Sequence, residues 1–215
     1  MLDWSIYNKK QEKLSKKIQN HNKKFNFNYL HKDKYNHVRD HLAIVISMIN
    51  KKKISILDYG GTPVSFFDLK KKNYSKVKYT IYNPHVTTKD SSKKNKQEFL
   101  NIKKLTKIKC DLLYINSVIQ YIENLSEFFS KEIFDKIKFN YLMLSDVIVT
   151  KNKTFKFKQH NHEILCIAHN LNKIDFSLKQ NKMNKIYQSA FSKKIVKKKN
   201  IYLINYIFKK DKISK

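Results

Sequence analysis

Glycine is scarce in this chain of 215 residues, which has two glycines where average composition gives about 15. The two are adjacent, Gly60 and Gly61, and they follow the apolar run 54–57 and Asp58. Glycine is needed where φ must be positive, or where a ligand must approach the backbone more closely than a Cβ allows. The only two glycines therefore mark a place where a strand turns sharply, and this turn is the most informative feature of the sequence.

Cysteine and long apolar runs are also scarce. Cys110 and Cys166 lie in apolar, strand-like surroundings without a second cysteine at metal-ligand spacing, which indicates reduced core residues rather than a disulfide. His160, His162 and His169 surround Cys166. In an extended strand, however, His162 and Cys166 share one face and His169 points to the other, so we expect no metal site. No apolar stretch approaches the roughly 20 residues of a membrane-spanning helix, and the N-terminus lacks a signal-peptide core, so we expect a cytoplasmic protein.

Arginine is nearly absent, although the chain is strongly basic. Arg39 is the only arginine among 46 basic residues, and the formal net charge is +29. Such a charge ordinarily indicates nucleic acid or an anionic membrane as a partner, but phosphate and base recognition favours arginine's planar fork. Abundant Lys, Asn and Ile with little Gly, Pro and Ala is the composition expected from an AT-rich genome. We therefore interpret the lysine runs mainly as solvated ends of elements and do not favour a nucleic-acid partner.

The composition indicates one globular unit with a helical N-terminal extension. Hydrophobic residues make up 41% and aromatic residues 13%, which excludes a disordered chain.

The N-terminal part is predicted to be helical. Residues 5–24 predict a weak helix, and residues 25–29 predict an aromatic loop. A stronger helix ends at the lysine run 51–53, and its apolar stripe consists of Val38, Leu42, Val45 and Ile49. We place the helical cap at 1–52 and the main domain at 53–215.

From residue 54 onward, short apolar segments alternate with helical ones. The apolar segments predict strands at 54–58, 77–82, 111–116, 140–147 and 201–208. A helix between the third and fourth strands is predicted from the four-residue repeat of Leu125, Phe129, Ile133 and Ile137. This alternation indicates an α/β fold with a mostly parallel sheet that binds ligands beyond the carboxyl ends of its strands. A loop long enough to shape a pocket is expected from Thr150 to Glu163.

The glycine turn leads into a helix predicted over 63–72, because Pro63 suits the first turn of a helix. The exposed amides at the start of such a helix favour a negative or polar ligand group. A tight turn without any ligand is the alternative on geometry alone.

Three segments resemble motifs of class I S-adenosylmethionine-dependent methyltransferases. Residues 56–61, Ile-Leu-Asp-Tyr-Gly-Gly, look like the family's first motif. Residues 110–122, with Asp, several apolar residues, Asn-Ser and then Ile-Gln-Tyr, are similar to its fourth-strand motif, and 141–146 would follow as the fifth strand. The segments resemble in particular a subgroup of small-substrate methyltransferases with an Asp-aromatic-Gly-Gly first motif. The resemblance implies a Rossmann-like fold, whose final antiparallel hairpin is only partly visible in 201–208, and S-adenosyl-L-methionine as the cofactor.

The resemblance also implies a cofactor site around the glycine turn. The residues that match the family's cofactor loop are Asp58, Tyr59, Gly60 and Gly61. There the backbone lies against the methionine part of the cofactor, and the acidic residue helps to hold its amino group through water or backbone. The family has Asp or Glu at the end of the second strand to accept both ribose hydroxyls. This chain has Asn83, which accepts less strongly, and a third loop glycine is replaced near Val64.

Further site residues follow from the fourth-strand motif. Asn116 and Ser117 match positions that face the cofactor, and Gln120 and Tyr121 positions towards the substrate. The alternative is that Asn116 and Ser117 form a helix cap and turn and that Tyr121 is a core residue. Methyl transfer is an in-line displacement that relies chiefly on positioning. For a hydroxyl acceptor, the candidate bases are His85, Asp146 and His160.

The predicted function is methyl transfer to a small-molecule or saccharide-like acceptor, and other classes fit less well. A nicotinamide-dependent oxidoreductase normally has a Gly-x-Gly-x-x-Gly run, which this chain lacks. A nucleic-acid (RNA) methyltransferase fits the charge but would favour Asn/Asp-Pro-Pro-aromatic at the fourth strand, where this chain has Asn-Ser-Val-Ile. A catalytically inactive methyltransferase-fold binding protein stays open because of Asn83 and Val64, and failure to bind the cofactor would identify it.

Overall fold

The structure is a computed structural model that describes residues 36–61, 77–83, 99–102, 104–158 and 165–211. The elements predicted at 5–24, 25–29 and 63–72, and the residues Val64, His85 and His160, lie outside these ranges. The boundary predicted between the cap 1–52 and the main domain 53–215 stays a prediction.

A mixed β-sheet forms the centre of the described part. Its strands are β1 (Ile54–Tyr59), β2 (Val77–Tyr82), β3 (Phe99–Ile102), β5 (Leu112–Asn116), β7 (Tyr141–Thr150), β8 (Phe155–Lys158), β9 (Leu165–Asn170), β10 (Met183–Val196) and β11 (Lys199–Lys210). The order along the sheet is β3-β2-β1-β5-β7-β11-β10, with β9 beside the end of β7 and β8 beside β9. The strands from β3 to β7 run parallel, β11 runs antiparallel to β7, and β10 runs antiparallel to β11. Two short strands, β4 (Ile108–Lys109) and β6 (Ile137–Lys138), pair separately.

The predicted α/β fold with a mostly parallel sheet is confirmed, and each of the five predicted strands is present. Sequence reasoning missed β3, β9 and β10. Most side chains of β10 are exposed because it is the outermost strand, so its sequence carries no continuous apolar run. The final hairpin, only partly predicted, is complete as β10 and β11.

Helices cover both faces of the sheet. Helix α1 (Asn36–Ile49) buries Leu42, Val45 and Ile49 in one core that also contains Ile56 and Tyr114. The opposite face is covered by a 3-10 turn (Ile119–Tyr121), by α2 (Leu125–Glu127), which continues as a π-helix (Phe128–Phe134), and by α3 (Leu171–Lys179). The sheet therefore lies between two apolar layers, as in an open α/β fold.

Two local predictions were wrong. The helix with the four-residue repeat ends at Phe134, and Ile137 lies in β6, because the chain closes a wide turn in which Asp135 N–H donates to Ser130 O at 3.0 Å. The expected loop from Thr150 to Glu163 contains β8, whose alternating Phe and Lys residues pair with β9.

Strand β7 carries a bulge near its middle. Ile204 pairs with Val147 and Tyr206 with Leu144, so that two residues of β7, Ser145 and Asp146, lie opposite one residue of β11. Asp146 has φ 55°. Before the bulge β7 pairs with β5, and after it β7 pairs with β9. The bulge thus marks the level in the sheet at which β5 ends.

Candidate functional site

The carboxyl ends of the parallel strands bring most of the predicted site residues together. The register places Asp58 of β1 beside Tyr114 of β5, and Asn116 of β5 beside Ser145 of β7. Asn83 directly follows β2. Because carboxyl ends of neighbouring parallel strands share one edge of a sheet, this edge is where a ligand of an α/β sheet binds.

Close packing within the chain accounts for both glycines. Gly60 has φ 75°, and a Cβ at this residue would lie 2.7 Å from Val118 Cγ2. Its N–H donates to Tyr82 O at 2.7 Å, which ties the turn to β2. A Cβ on Gly61 would lie 2.0 Å from the carboxyl carbon of Asp58. Neither position accepts a side chain without movement of its neighbours.

The carboxyl group of Asp58 is fully buried beside this turn. Tyr79 donates its hydroxyl to Asp58 Oδ2 at 2.7 Å, whereas Oδ1 has no hydrogen-bond partner among the described residues. Burial raises the pKa of Asp58 from 3.8 to about 7, against the opposing effect of the Tyr79 hydrogen bond. A buried acceptor without a partner is costly, so Oδ1 is suited to a donor that the chain itself does not supply.

Asn83 holds the glycine turn from the side of β2. Its Nδ2 donates to Gly60 O at 3.3 Å and to Gly61 O at 3.2 Å. The side chain therefore fixes the two peptide groups that follow β1. Its role as a ribose acceptor stays a prediction.

Aromatic rings surround Tyr59, the other member of the predicted cofactor loop. Its ring centroid lies 5.1 Å from that of Tyr82 and 5.5 Å from that of Phe128, the latter edge to face. Burial raises the pKa of its hydroxyl well above the usual range. Tyr59 is thus held as a neutral, half-buried ring at the end of β1.

Ser117 and Asp146 form a pair at the end of β5. The Ser117 hydroxyl donates to Asp146 Oδ2 at 2.5 Å, and its backbone N–H donates to Ser145 O at 3.0 Å. Ser117 has φ 54°. The 3-10 turn that follows has Val118 as its cap residue and no side-chain cap bond. Asn116 and Ser117 therefore do not cap this turn, whereas the positive φ of Ser117 fits the tight turn of the alternative interpretation.

Asn205 of β11 is a residue that sequence reasoning missed. Its Oδ1 accepts from Asp146 N–H at 2.9 Å, and its Nδ2 lies 3.5 Å from His41 Nδ1 of α1. His41 Nε2 lies 2.8 Å from the hydroxyl of Tyr187 on β10. The signal available in the sequence was a single amide residue inside the apolar segment 201–208.

A row of polar residues follows the α1 side of the sheet at this edge. Side chains alternate between the faces of a strand, and the last apolar members on the α1 side are Ile56, Tyr114, Met143 and Ile207. The next residues on that side towards the carboxyl edge are Asp58, Asn116, Ser145 and Asn205. Among the described residues Ser145 Oγ, which is buried, has no hydrogen-bond partner. The edge thus presents neutral hydroxyl and amide groups beside one buried carboxyl group.

The two predicted substrate residues lie in the 3-10 turn. Gln120 is buried, and its Oε1 has no partner within the described ranges. Tyr121 packs against the cluster that contains Phe157 and Cys166, and it hydrogen-bonds to Cys166, whose pKa burial nevertheless raises to about 11. These contacts support the core interpretation of Tyr121.

His169 supports the same turn from β9. Its Nε2 lies 3.1 Å from Ile119 O, and burial lowers the pKa of its imidazole. A neutral ring that donates from Nε2 fits this contact. The sequence had indicated His169 only as a neighbour of Cys166, and no three His, Cys, Asp or Glu side chains converge as a metal site within the described ranges.

Of the three candidate bases, the structure describes Asp146. It lies in the site through its hydrogen bond with Ser117. Asp111, which opens the segment similar to the fourth-strand motif, lies instead at the amino ends of β1 and β5, where Oδ2 accepts from Ser55 N–H at 2.9 Å.

The fold defined by this sheet is shared with solved methyltransferases. An S-adenosylmethionine-dependent methyltransferase from Clostridium acetobutylicum is 16% identical, with 86% of this chain and 95% of that chain covered and a TM-score of 0.51. Magnesium protoporphyrin IX methyltransferase from Synechocystis, with bound S-adenosylhomocysteine (SAH), is 11% identical over 82% of this chain and 83% of that chain, at a TM-score of 0.54. The 1,6-didemethyltoxoflavin-N1-methyltransferase of Burkholderia thailandensis is 8% identical over 99% of this chain and 91% of that chain, at a TM-score of 0.61.

These likenesses define the fold as that of S-adenosylmethionine-dependent methyltransferases, as predicted. No protein-family model and no curated protein matches the sequence. No described helix is long and apolar enough to cross a membrane.

Proposed function

We propose that the protein binds S-adenosyl-L-methionine at the carboxyl edge of the sheet and transfers its methyl group to a small-molecule or saccharide-like acceptor. The observation that carries the proposal is the buried carboxyl group of Asp58, whose Oδ1 has no partner among the described residues, beside the Gly60–Gly61 turn. The ammonium group of the cofactor is a donor that would satisfy this oxygen, directly or through a water molecule.

The residues at the turn fit the cofactor in part. Asp58 would hold the amino group, the peptides of Gly60 and Gly61 would lie along the methionine part, and Asn83 would face the ribose. The cofactor supplies an activated methyl group on a sulfonium centre. The fit is weakest at Asn83, which lacks a carboxylate and already donates to both glycine carbonyls. The Asp-aromatic-Gly-Gly pattern supports membership of the small-substrate subgroup as part of the same proposal.

Asn116 and Ser117 at the end of β5 would face the cofactor, and Gln120 in the 3-10 turn would face the acceptor. The amide group of Gln120 suits hydroxyl or amide functions of a polar acceptor. Asp146 is the candidate to accept a proton from an acceptor hydroxyl, since its carboxylate already accepts a hydrogen bond from Ser117 at 2.5 Å. Positioning supplies most of the rate enhancement in such an in-line transfer.

Thermal unfolding with and without SAH tests the proposal. SAH at about a hundred times its dissociation constant adds about 2.7 kcal/mol, and each kcal/mol raises the midpoint of a chain of this size by roughly 2–4 °C. Asp58→Asn, which keeps an oxygen for Tyr79, should lose most of this shift, whereas the exposed Asp135→Asn should keep it. Absence of any shift at millimolar SAH would contradict the proposal.

A non-catalytic protein with the same fold is the second candidate. It is favoured by Asn83, which binds both carbonyls of the turn, and by the packing contacts that account for both glycines without a ligand. Wild-type protein that unfolds at the same temperature with and without SAH would support this candidate.

A further inference from the structure

We propose that the tip of the β10–β11 hairpin is a binding surface for anionic phospholipid membranes. The tip, residues 193–199, lies beside β8 and the start of β9. Between them is a groove of about 490 Å³ lined by Phe157, Lys158, Leu165, Ile195, Val196 and Lys197. The proposal does not depend on the cofactor site.

The apolar part of this surface is unusually open. Ile195 exposes 73% of its surface and Leu165 exposes 40%, and both border the groove, whose buried wall is Phe157. Single exposed apolar residues are common, whereas apolar residues grouped around one groove indicate a binding surface. The side chain of Ile195 is thus placed to insert into the apolar part of a bilayer.

The charged part of the surface consists of lysine. Lys158 and Lys197 line the groove together with Ile195 and Leu165. Further exposed lysines lie on β8, on the tip ends of β10 and β11 and on the hairpin turn, namely Lys156, Lys193, Lys194, Lys198 and Lys199. Lys156 is paired with Glu123 at 2.5 Å. Lysine near an anionic bilayer strengthens binding about fivefold per residue, so this group complements a surface of phosphodiester head groups.

The hairpin turn brings its lysines close to β8. Lys197 and Lys198 have φ values of 50° and 59°, as in a two-residue type I′ turn. Lys197 Nζ donates to Lys156 O at 3.0 Å. The hairpin and β8 are therefore in contact, so their lysines lie close together.

Apolar exposure favours a membrane over nucleic acid at this surface. Binding of single-stranded nucleic acid uses aromatic faces on which bases stack. Here Phe157 is buried and the ring of Phe155 is covered by Lys199, whose Nζ lies 4.9 Å from the ring centroid. An exposed isoleucine among lysines instead matches the interfacial region of a bilayer, where apolar side chains insert and ammonium groups meet phosphate.

Vesicle co-sedimentation of the full chain tests the proposal. We expect binding to vesicles with equal amounts of phosphatidylglycerol and phosphatidylcholine, weakened by salt, and little binding to pure phosphatidylcholine. Ile195→Ser should weaken vesicle binding about tenfold. Lys158→Gln/Lys193→Gln should weaken it about 25-fold, at about fivefold for each lysine. All of these positions are on the surface, and an unchanged thermal midpoint would verify that the variants fold.

Matched controls separate this surface from the general basic charge. Lys52→Gln/Lys53→Gln also removes two positive charges, but at the opposite edge of the sheet. Ile186→Ser removes another exposed isoleucine of β10, whose side chain is 41% exposed. Both controls should bind like the wild-type protein. The proposal would be overturned if the controls weakened binding as much as the tip variants, or if the wild type did not bind the anionic vesicles. The proposal would also be overturned if the wild type bound a single-stranded RNA but not the anionic vesicles, and if only the lysine variant lost this RNA binding.

Discussion

At the end of β1, the carboxyl group of Asp58 lies directly against the backbone of Gly61. The Asp58 carboxylate lies where a Cβ on Gly61 would be, 2.0 Å from the carboxyl carbon. Residue 61 is therefore a glycine because the buried carboxyl group of Asp58 leaves no room for a side chain there. One atom of the same carboxyl group, Asp58 Oδ1, has no partner among the described residues and is the acceptor that a ligand would satisfy.

Gly61→Ala should destabilise the protein, because the new methyl group and the Asp58 carboxylate cannot occupy the same space. Overpacking of this kind costs about 1–3 kcal/mol. Asp58→Ala in the same chain should recover much of the loss, since it empties the space that the methyl group needs. Urea unfolding of the two single variants and the double variant measures the coupling. Additive free-energy changes would contradict the contact.

Ionisation of Asp58 should destabilise the folded protein as pH rises. Burial raises its pKa from 3.8 to about 7 in the folded state, so the folded protein keeps a proton that the unfolded chain has lost. Stability from this group is full below about pH 4, falls between about pH 4 and 7, and is constant above. The difference in unfolding free energy between the wild type and Asp58→Asn should fall across this window by an amount of the order of 4 kcal/mol. A pH-independent difference in urea titrations would show that Asp58 is not perturbed.

At the scale of elements, the bulge of β7 connects the layers of the fold. It aims Asp146 at Ser117 on one side, and on the other side Asn205 accepts the Asp146 N–H at 2.9 Å and lies 3.5 Å from His41 of α1. A bulge re-aims side chains and is common beside binding sites. The bulge therefore places the Ser117–Asp146 pair where β5 ends.

Asn205→Ala should weaken this arrangement by leaving the Asp146 N–H without its acceptor. An unsatisfied buried donor costs about 1–3 kcal/mol. Urea unfolding should show that loss, and amide hydrogen exchange should show faster exchange at Asp146. The exposed Asn184→Ala serves as the control and should change neither quantity. Unchanged protection of the Asp146 amide in Asn205→Ala would contradict the role given to Asn205.

Over the whole molecule, the sequence predicts the parts in which local pattern and burial agree. Strands β1, β2, β5, β7 and β11 are apolar runs in the middle of the sheet, and all were predicted. Strand β10 was missed because an outer strand with exposed side chains shows no such run. The Ser117–Asp146–Asn205 contacts were also missed, since a bulge joins residues that are 29 and 59 positions apart in the chain. The hydrophobic pattern and turn geometry set the register of neighbouring strands, whereas the extra residue of this bulge depends on the pairing of β7 with a distant strand, β11.

Calorimetric titration of the protein with SAH near pH 7, in two buffers of different ionisation enthalpy, measures whether Asp58 releases a proton when the ligand binds. If the ammonium group of SAH binds beside Asp58, the carboxyl group loses its proton on binding, and the measured enthalpy depends on the buffer. Asp58→Asn should bind more weakly, with no buffer dependence. No binding at millimolar SAH, or equal binding by Asp58→Asn without proton release, would contradict a cofactor site at the glycine turn.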